Sequence, residues 1–168
     1  MPGHGPGRVI RLQCIAVLLV GAGLLSGCSG LKTYPNDLPK NLQVRTEATS
    51  GSAFSSMRVA LHIHQVDANC RTEYQGTVNL NEPSVGVGVP SGRMSYLVFT
   101  FSGSSFLGGT SSSTRYETLL QPRAGYTYDA RARYKDGIYH VEIRENDPRR
   151  SAGREIERRG LADCGRPW

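Results

Sequence analysis

His62 and His64 stand two residues apart in the run Arg58-Val59-Ala60-Leu61-His62-Ile63-His64. Imidazole ligates metals and carries protons near neutral pH. In an extended strand alternate side chains share a face, so a His-x-His pair puts both rings on one side, about 7 Å apart, a spacing that can serve one metal ion. His140 becomes a third ligand if its strand lies alongside. No acid completes the set nearby, and a solvated strand face accommodates two histidines with no ligand at all. His62 and His64 are therefore candidate ligands in a chain expected to need no metal and no cofactor.

A second feature is the stretch from Ser102 to Ser113, rich in glycine and hydroxyls around Phe106-Leu107. Read as a loop, it could cradle an anion or glycan through its backbone, and the apolar pair at its tip is the expected partner contact. It lacks the Gly-Lys-Ser/Thr ending of a P-loop and the Gly-x-Ser-x-Gly of a nucleophile elbow. Tyr126, Tyr128, Tyr134 and Tyr139 present rings that can stack sugars, but a sandwich core with wet edges needs the same alternation. Arg149, Arg150, Arg154, Arg158 and Arg159 interleave with Glu155 and Glu157, the pattern of a locally paired surface. No serine, histidine and acid form a hydrolase motif, and there is no paired-carboxylate signature. No catalytic residue is assigned, and the chain is expected not to be an enzyme.

Such side chains need elements to hold them. Alternating apolar runs bounded by turn residues predict strands at 42–48, 57–66, 72–80, 94–102, 112–120, 125–134 and 138–145, with a short helix within 149–159. Asp136-Gly137 is a two-residue hairpin signal, since type I′ turns need positive φ at both positions. That turn sets Tyr134 opposite Tyr139, Ala132 opposite Val141 and Ala130 opposite Ile143 on one face. Arg133 then faces His140, Arg131 faces Glu142, and Asp129 faces Arg144 on the other; a slip of one residue would scramble both faces. About seven strands with one buried face each predict an all-β, antiparallel two-sheet sandwich of immunoglobulin-like or transthyretin-like character, with a small β-barrel as the alternative.

The 168 residues carry 20 Lys+Arg and 14 Asp+Glu, a formal charge of +6. No block of five like charges appears, so no nucleic-acid partner is expected. Arg8 and Arg11 precede Cys14–Leu25, twelve apolar or small residues that span about 18 Å as a helix, short of the roughly 30 Å hydrocarbon core. That is the form of a signal-peptide core. Leu25-Ser26-Gly27-Cys28 follows, and it resembles the lipobox of bacterial lipoproteins. The resemblance implies cleavage before Cys28, a lipidated Cys28 thiol and membrane attachment through acyl chains, each buried methylene contributing about 0.8 kcal/mol. Ser29 rather than Asp after the cysteine implies delivery to the outer membrane, facing the periplasm.

On that reading residues 1–27 are the leader, 28–41, with two prolines and two asparagines, a flexible tether, and 42–168 a single β domain. Cys14 leaves with the leader and Cys28 is lipidated, so Cys70 and Cys164 remain and are expected to pair in an oxidising compartment. The expected function is a non-catalytic binding, assembly or accessory module with an envelope protein as partner. The alternatives are a metal-binding protein or hydrolase using His62 and His64, or an inhibitor of a hydrolase.

Overall fold

The structure, a computed structural model, describes residues 31–48, 55–105, 111–135 and 138–167. The leader, Cys28, Phe106, Leu107 and the Asp136-Gly137 turn lie outside the described residues. From Lys32 onward the chain is one compact unit.

The described strands are β1 (Leu42–Ala48), β2 (Ser55–Val66), β3 (Thr72–Asn79), β4 (Ser84–Val87), β5 (Ser95–Ser105), β6 (Ser111–Leu120), β7 (Thr127–Lys135), β8 (Ile138–Asn146) and β9 (Arg154–Glu155). They form a five-stranded sheet, β4-β1-β7-β8-β9, and a four-stranded sheet, β3-β2-β5-β6, neither closed into a barrel. The core lies between them. Leu42, Val44, Tyr128, Ala130, Ala132, Val141 and Ile143 from the first sheet meet Val59, Leu61, Ile63, Leu97, Phe99 and Phe101 from the second. Each fully buried residue of leucine or phenylalanine size contributes about 1.5–3 kcal/mol. The two-sheet sandwich expected from the sequence is therefore the fold.

The β7–β8 register is the one the Asp136-Gly137 turn dictates, with Tyr134 opposite Tyr139, Ala130 opposite Ile143 and Asp129 opposite Arg144. One pairing departs from the antiparallel expectation: β1 runs parallel to β7. Parallel neighbours need a long crossover, and here β2 to β6, the whole second sheet among them, intervene between the two. Two short strands escaped the sequence reading. β4 is four residues containing a glycine, and β9 is only two. The helix expected within 149–159 is absent. Gly153 and the preceding Pro148 disfavour it, and the chain instead pairs with the β8 edge, where Ile156 N–H donates to the Ile143 carbonyl at 2.8 Å.

The expected tether is corrected as well, because residues 32–41 are packed onto the sandwich. Tyr34 is buried, its backbone N–H donates to the Thr77 carbonyl at 3.0 Å, and its hydroxyl donates to the Gly88 carbonyl at 2.7 Å. Two asparagine side chains then act as substitute strand partners. Asn36 donates to the Gly86 carbonyl and accepts from Gly88 N–H, at 3.1 and 2.8 Å; Asn41 does the same for Val89, at 2.8 Å each way. The segment thus satisfies backbone groups in the last residues of β4 and just beyond it. Its fit demands Gly76, whose φ is +142° and where a Cβ would stand 2.6 Å from Tyr34 Cα. Prolines and asparagines suggested a solvated linker; here they shape a strap.

Candidate functional site

The outward side chains of the four-stranded sheet hold the sequence-predicted histidines. In β3 the register shifts opposite Ile63/His64, so that Thr77 pairs with His62 and Tyr74 with His64, Gly76 facing Ile63 between them. This bulge brings a hydroxyl to each ring's neighbourhood. His62 Nδ1 lies 2.7 Å from Thr77 Oγ1, which is 2.5 Å from the Tyr74 hydroxyl. The His64 ring is tilted between Tyr74 and Tyr96, with centroids at 5.2 and 5.9 Å. Tyr96 donates to Glu117 Oε2 at 2.5 Å. An aromatic row, Tyr74–His64–Tyr96, therefore crosses three strands and ends on a carboxylate.

The electrostatics keep this face uncharged at the rings. Partial burial, reinforced by the Arg115 charge, lowers the His62 pKa; burial and then His62 lower that of His64. Burial, followed by the hydrogen bond and charge of Glu117, pushes the Tyr96 phenol up to about 12. Neutral imidazoles can ligate a metal, but His62 Nδ1 is engaged by Thr77. No group of three or more His, Cys, Asp or Glu suited to a metal occurs among the described residues. His140 does not join, because β8 belongs to the other sheet, where it faces Arg133.

The remaining predicted features divide. Cys70 and Cys164 are joined, with Cα atoms 5.8 Å apart across a sequence separation of 94. Phe106 and Leu107 fall outside the described residues. The described residues of the loop expected over 102–113 are strand, since β5 and β6 stay paired out to Ser104 opposite Ser111, and β2 continues alongside from Ser55. Serine and glycine dominate that stretch of sequence, and no apolar alternation marks it as strand. Tyr128 is buried, while Tyr126, Tyr134 and Tyr139 pack against the core, Tyr139 lying 5.1 Å from Phe101 and 4.6 Å from Tyr134 by ring centroids. They are packing groups.

Comparison with protein-family models, with curated proteins and with solved structures found no match.

Sequence reasoning missed a second site, at the open end of the five-stranded sheet. Glu145 on β8 is only 7% exposed. It accepts from Arg123 Nε at 3.0 Å and from Arg123 Nη2, from the Tyr128 hydroxyl at 3.0 Å, and from Arg154 Nη2 at 3.2 Å. Burial alone would raise the Glu145 carboxyl pKa; the bonds from Arg123 and Tyr128 and the charges of Arg123 and Arg154 outweigh it and hold the group below its ordinary value. The Arg123 guanidinium also lies 4.3 Å over the Tyr126 ring. Beside this cluster opens a cleft of about 600 Å³. One signal was present in the sequence. Glu145 is in phase with Val141 and Ile143, so an acid continues the inward face of β8, and a buried acid requires partners. The arginines expected to pair with Glu155 and Glu157 turn elsewhere: Arg149 and Arg150 to Asp147, Arg154 to Glu145, and Arg158 to the Glu117 carbonyl and the Tyr116 ring.

Proposed function

We propose that this chain is a lipid-anchored protein of the bacterial envelope that works by contact rather than catalysis, holding a protein partner at the outer membrane on its periplasmic side. The observation that carries the reading is Leu25-Ser26-Gly27-Cys28 following an apolar run too short to span a bilayer. The Cys70–Cys164 bridge supports export, because such bonds persist in oxidising compartments. The strap sharpens the consequence. Among the described residues packing begins with the Lys32 carbonyl, which accepts from Thr77 N–H at 2.7 Å. A fully extended chain from Cys28 to Lys32 reaches no more than about 14 Å. A partner would then be met close to the bilayer, where anchoring raises its effective concentration. The aromatic row on the four-stranded sheet is the surface offered, rigid and partly apolar, in the way aromatic residues serve at interfaces.

The test is crosslinking of the lipidated protein in intact cells, with Cys28→Ser as control. A dominant envelope partner, lost when Cys28→Ser moves the protein out of the membrane fraction, is expected. A Cys28→Ser protein that stays membrane-bound would overturn the anchor; absence of any partner above that control would overturn the contact function.

A further inference from the structure

We propose that the cleft beside Glu145 is a binding site for a small carboxylate with a short aliphatic group, gripped by Arg154 and Arg123. Two guanidiniums converge there on one carboxylate, which leaves a local charge of +1. Glu145 occupies Nε and Nη2 of Arg123 but only Nη2 of Arg154. Arg123 Nη1 and Arg154 Nε and Nη1 have no hydrogen-bond partner among the described residues. Each guanidinium thus retains charged N–H donors, and one from each arginine can meet an oxygen of an incoming carboxylate.

The donors are also held in place before any ligand arrives. Tyr126 underlies Arg123, which the buried Glu145 holds by two bonds, and the same carboxylate takes one bond from Arg154. Donors that need no reorganisation lose less on binding. Glu145 does not repel an incoming anion strongly, because Arg123, Arg154 and Tyr128 already neutralise it. The rest of the lining sets the ligand class. Leu120, Pro122, Ala124 and Ile156 supply an apolar wall, and Gln121 one further amide. A bare inorganic anion would leave that wall unused, and a purely apolar ligand would bury guanidinium N–H groups unpaired, which is costly. A cleft of about 600 Å³ lies within the range of small-molecule sites. The inference does not depend on the lipid anchor.

Isovalerate is a suitable probe, isovaleramide its neutral counterpart of the same shape, and inorganic phosphate the bare anion. Ligand-observed NMR titration of the lipidated protein in detergent at low salt should give saturable isovalerate binding on the order of millimolar. Isovaleramide and phosphate should each bind at least tenfold more weakly, and Arg154→Gln should weaken isovalerate at least tenfold, the scale of a lost charged hydrogen bond. Arg154 is largely exposed, so the variant keeps its fold. No saturable isovalerate binding, or equal binding of isovaleramide, would show that the arginines serve only to satisfy Glu145. Equal binding of phosphate, or undiminished binding by Arg154→Gln, would likewise overturn the assignment.

Discussion

Cutting the Cys70–Cys164 bridge is the perturbation whose size the structure allows to be worked through. The bridge closes a loop with a separation of 94 residues. In the chain-entropy model such a loop removes about 4.7 kcal/mol of freedom from the unfolded chain. The described residues of the tail it fastens, 157–167, are exposed or half-buried. Beyond Ile156 the attachments to β6 include Leu119 N–H to the Arg159 carbonyl at 2.8 Å, Arg159 N–H to Thr118 Oγ1 at 3.2 Å, Arg158 Nε to the Glu117 carbonyl at 3.1 Å, and the Arg158 guanidinium over the Tyr116 ring. The 3-10 turn Leu161–Asp163 buries none of its residues. Three hydrogen bonds contribute about 1 kcal/mol each, whereas ordering the tail costs about 1–2 kcal/mol for every residue. With the bridge gone the tail should fray, and the freedom the folded state regains brings the net loss below 4.7 kcal/mol. A Cys70→Ala, Cys164→Ala protein should therefore lose about 3–4 kcal/mol in urea unfolding, with a Tm lower by about 10–15 °C, and its tail should become open to carboxypeptidase. Cys70 itself adds a second readout, because its φ is +61°. Glycine tolerates that region and alanine does not, so Cys70→Gly, Cys164→Ala should be about 1 kcal/mol more stable than the double-alanine protein. Unchanged unfolding with a protected tail would refute the reasoning about the bridge. Equal stability of the two double variants would refute the backbone assignment at residue 70.

Gly76→Ala should unseat the strap, since a Cβ there meets Tyr34 backbone at 2.6 Å and φ is +142°; a loss of about 2–3 kcal/mol with new proteolysis near residues 32–41 is expected, and wild-type protection would contradict it. Tyr34→Phe removes the donor to the Gly88 carbonyl and should cost about 1–2 kcal/mol in the same assay. For His62 and His64 the folded pKa values lie below the unfolded value of about 6.5. The unfolded chain therefore takes up protons first, so their contribution is complete above that pH and is lost as pH falls from about 6.5 through the folded values. Burial is the larger cause of both shifts, with Arg115 acting on His62 and His62 on His64 in the same direction, and Asp147, held at about 2, titrates well below the window. His62→Gln with His64→Gln should flatten the fall in stability between pH 7 and 5; an unaltered slope would place the acid sensitivity elsewhere.

What the sequence disclosed follows from which interactions are local. The β7–β8 hairpin was legible to the exact pair because a two-residue turn and strict alternation over-determine the register. β2 was legible for the same reason, with Val59, Leu61 and Ile63 in one phase and His62 and His64 in the other. The strap was not, because the residues that make it a strap are Gly76, Gly86, Gly88 and Val89, roughly 40 to 55 positions downstream of the segment they receive. Prolines and asparagines look alike in a linker and in a strap; only the distant acceptors tell them apart. β9 failed as a helix on similar grounds, since two residues pair with a strand edge that local propensity does not see.

The cleft beside Glu145 shows the same limit in its functional form. Tyr128, Glu145 and Arg154 lie on three different strands and Arg123 on the turn before β7, so no spacing in the sequence connects them. Yet the inward phase of Glu145 already implied that something buried must answer its charge, and a buried carboxylate in a sandwich core is most cheaply answered by arginines entering from the edge, where their remaining N–H groups stay in reach of solvent. The geometry that protects the fold from Glu145 is thus the geometry that leaves two part-engaged guanidiniums lining an apolar-walled cleft. Stability and recognition would then be coupled here: Glu145→Gln should lower stability by about 2 kcal/mol and also loosen the two guanidiniums, weakening isovalerate even though it removes a negative charge from the site. If isovalerate instead bound more tightly to Glu145→Gln, long-range charge rather than placement of the donors would govern the cleft.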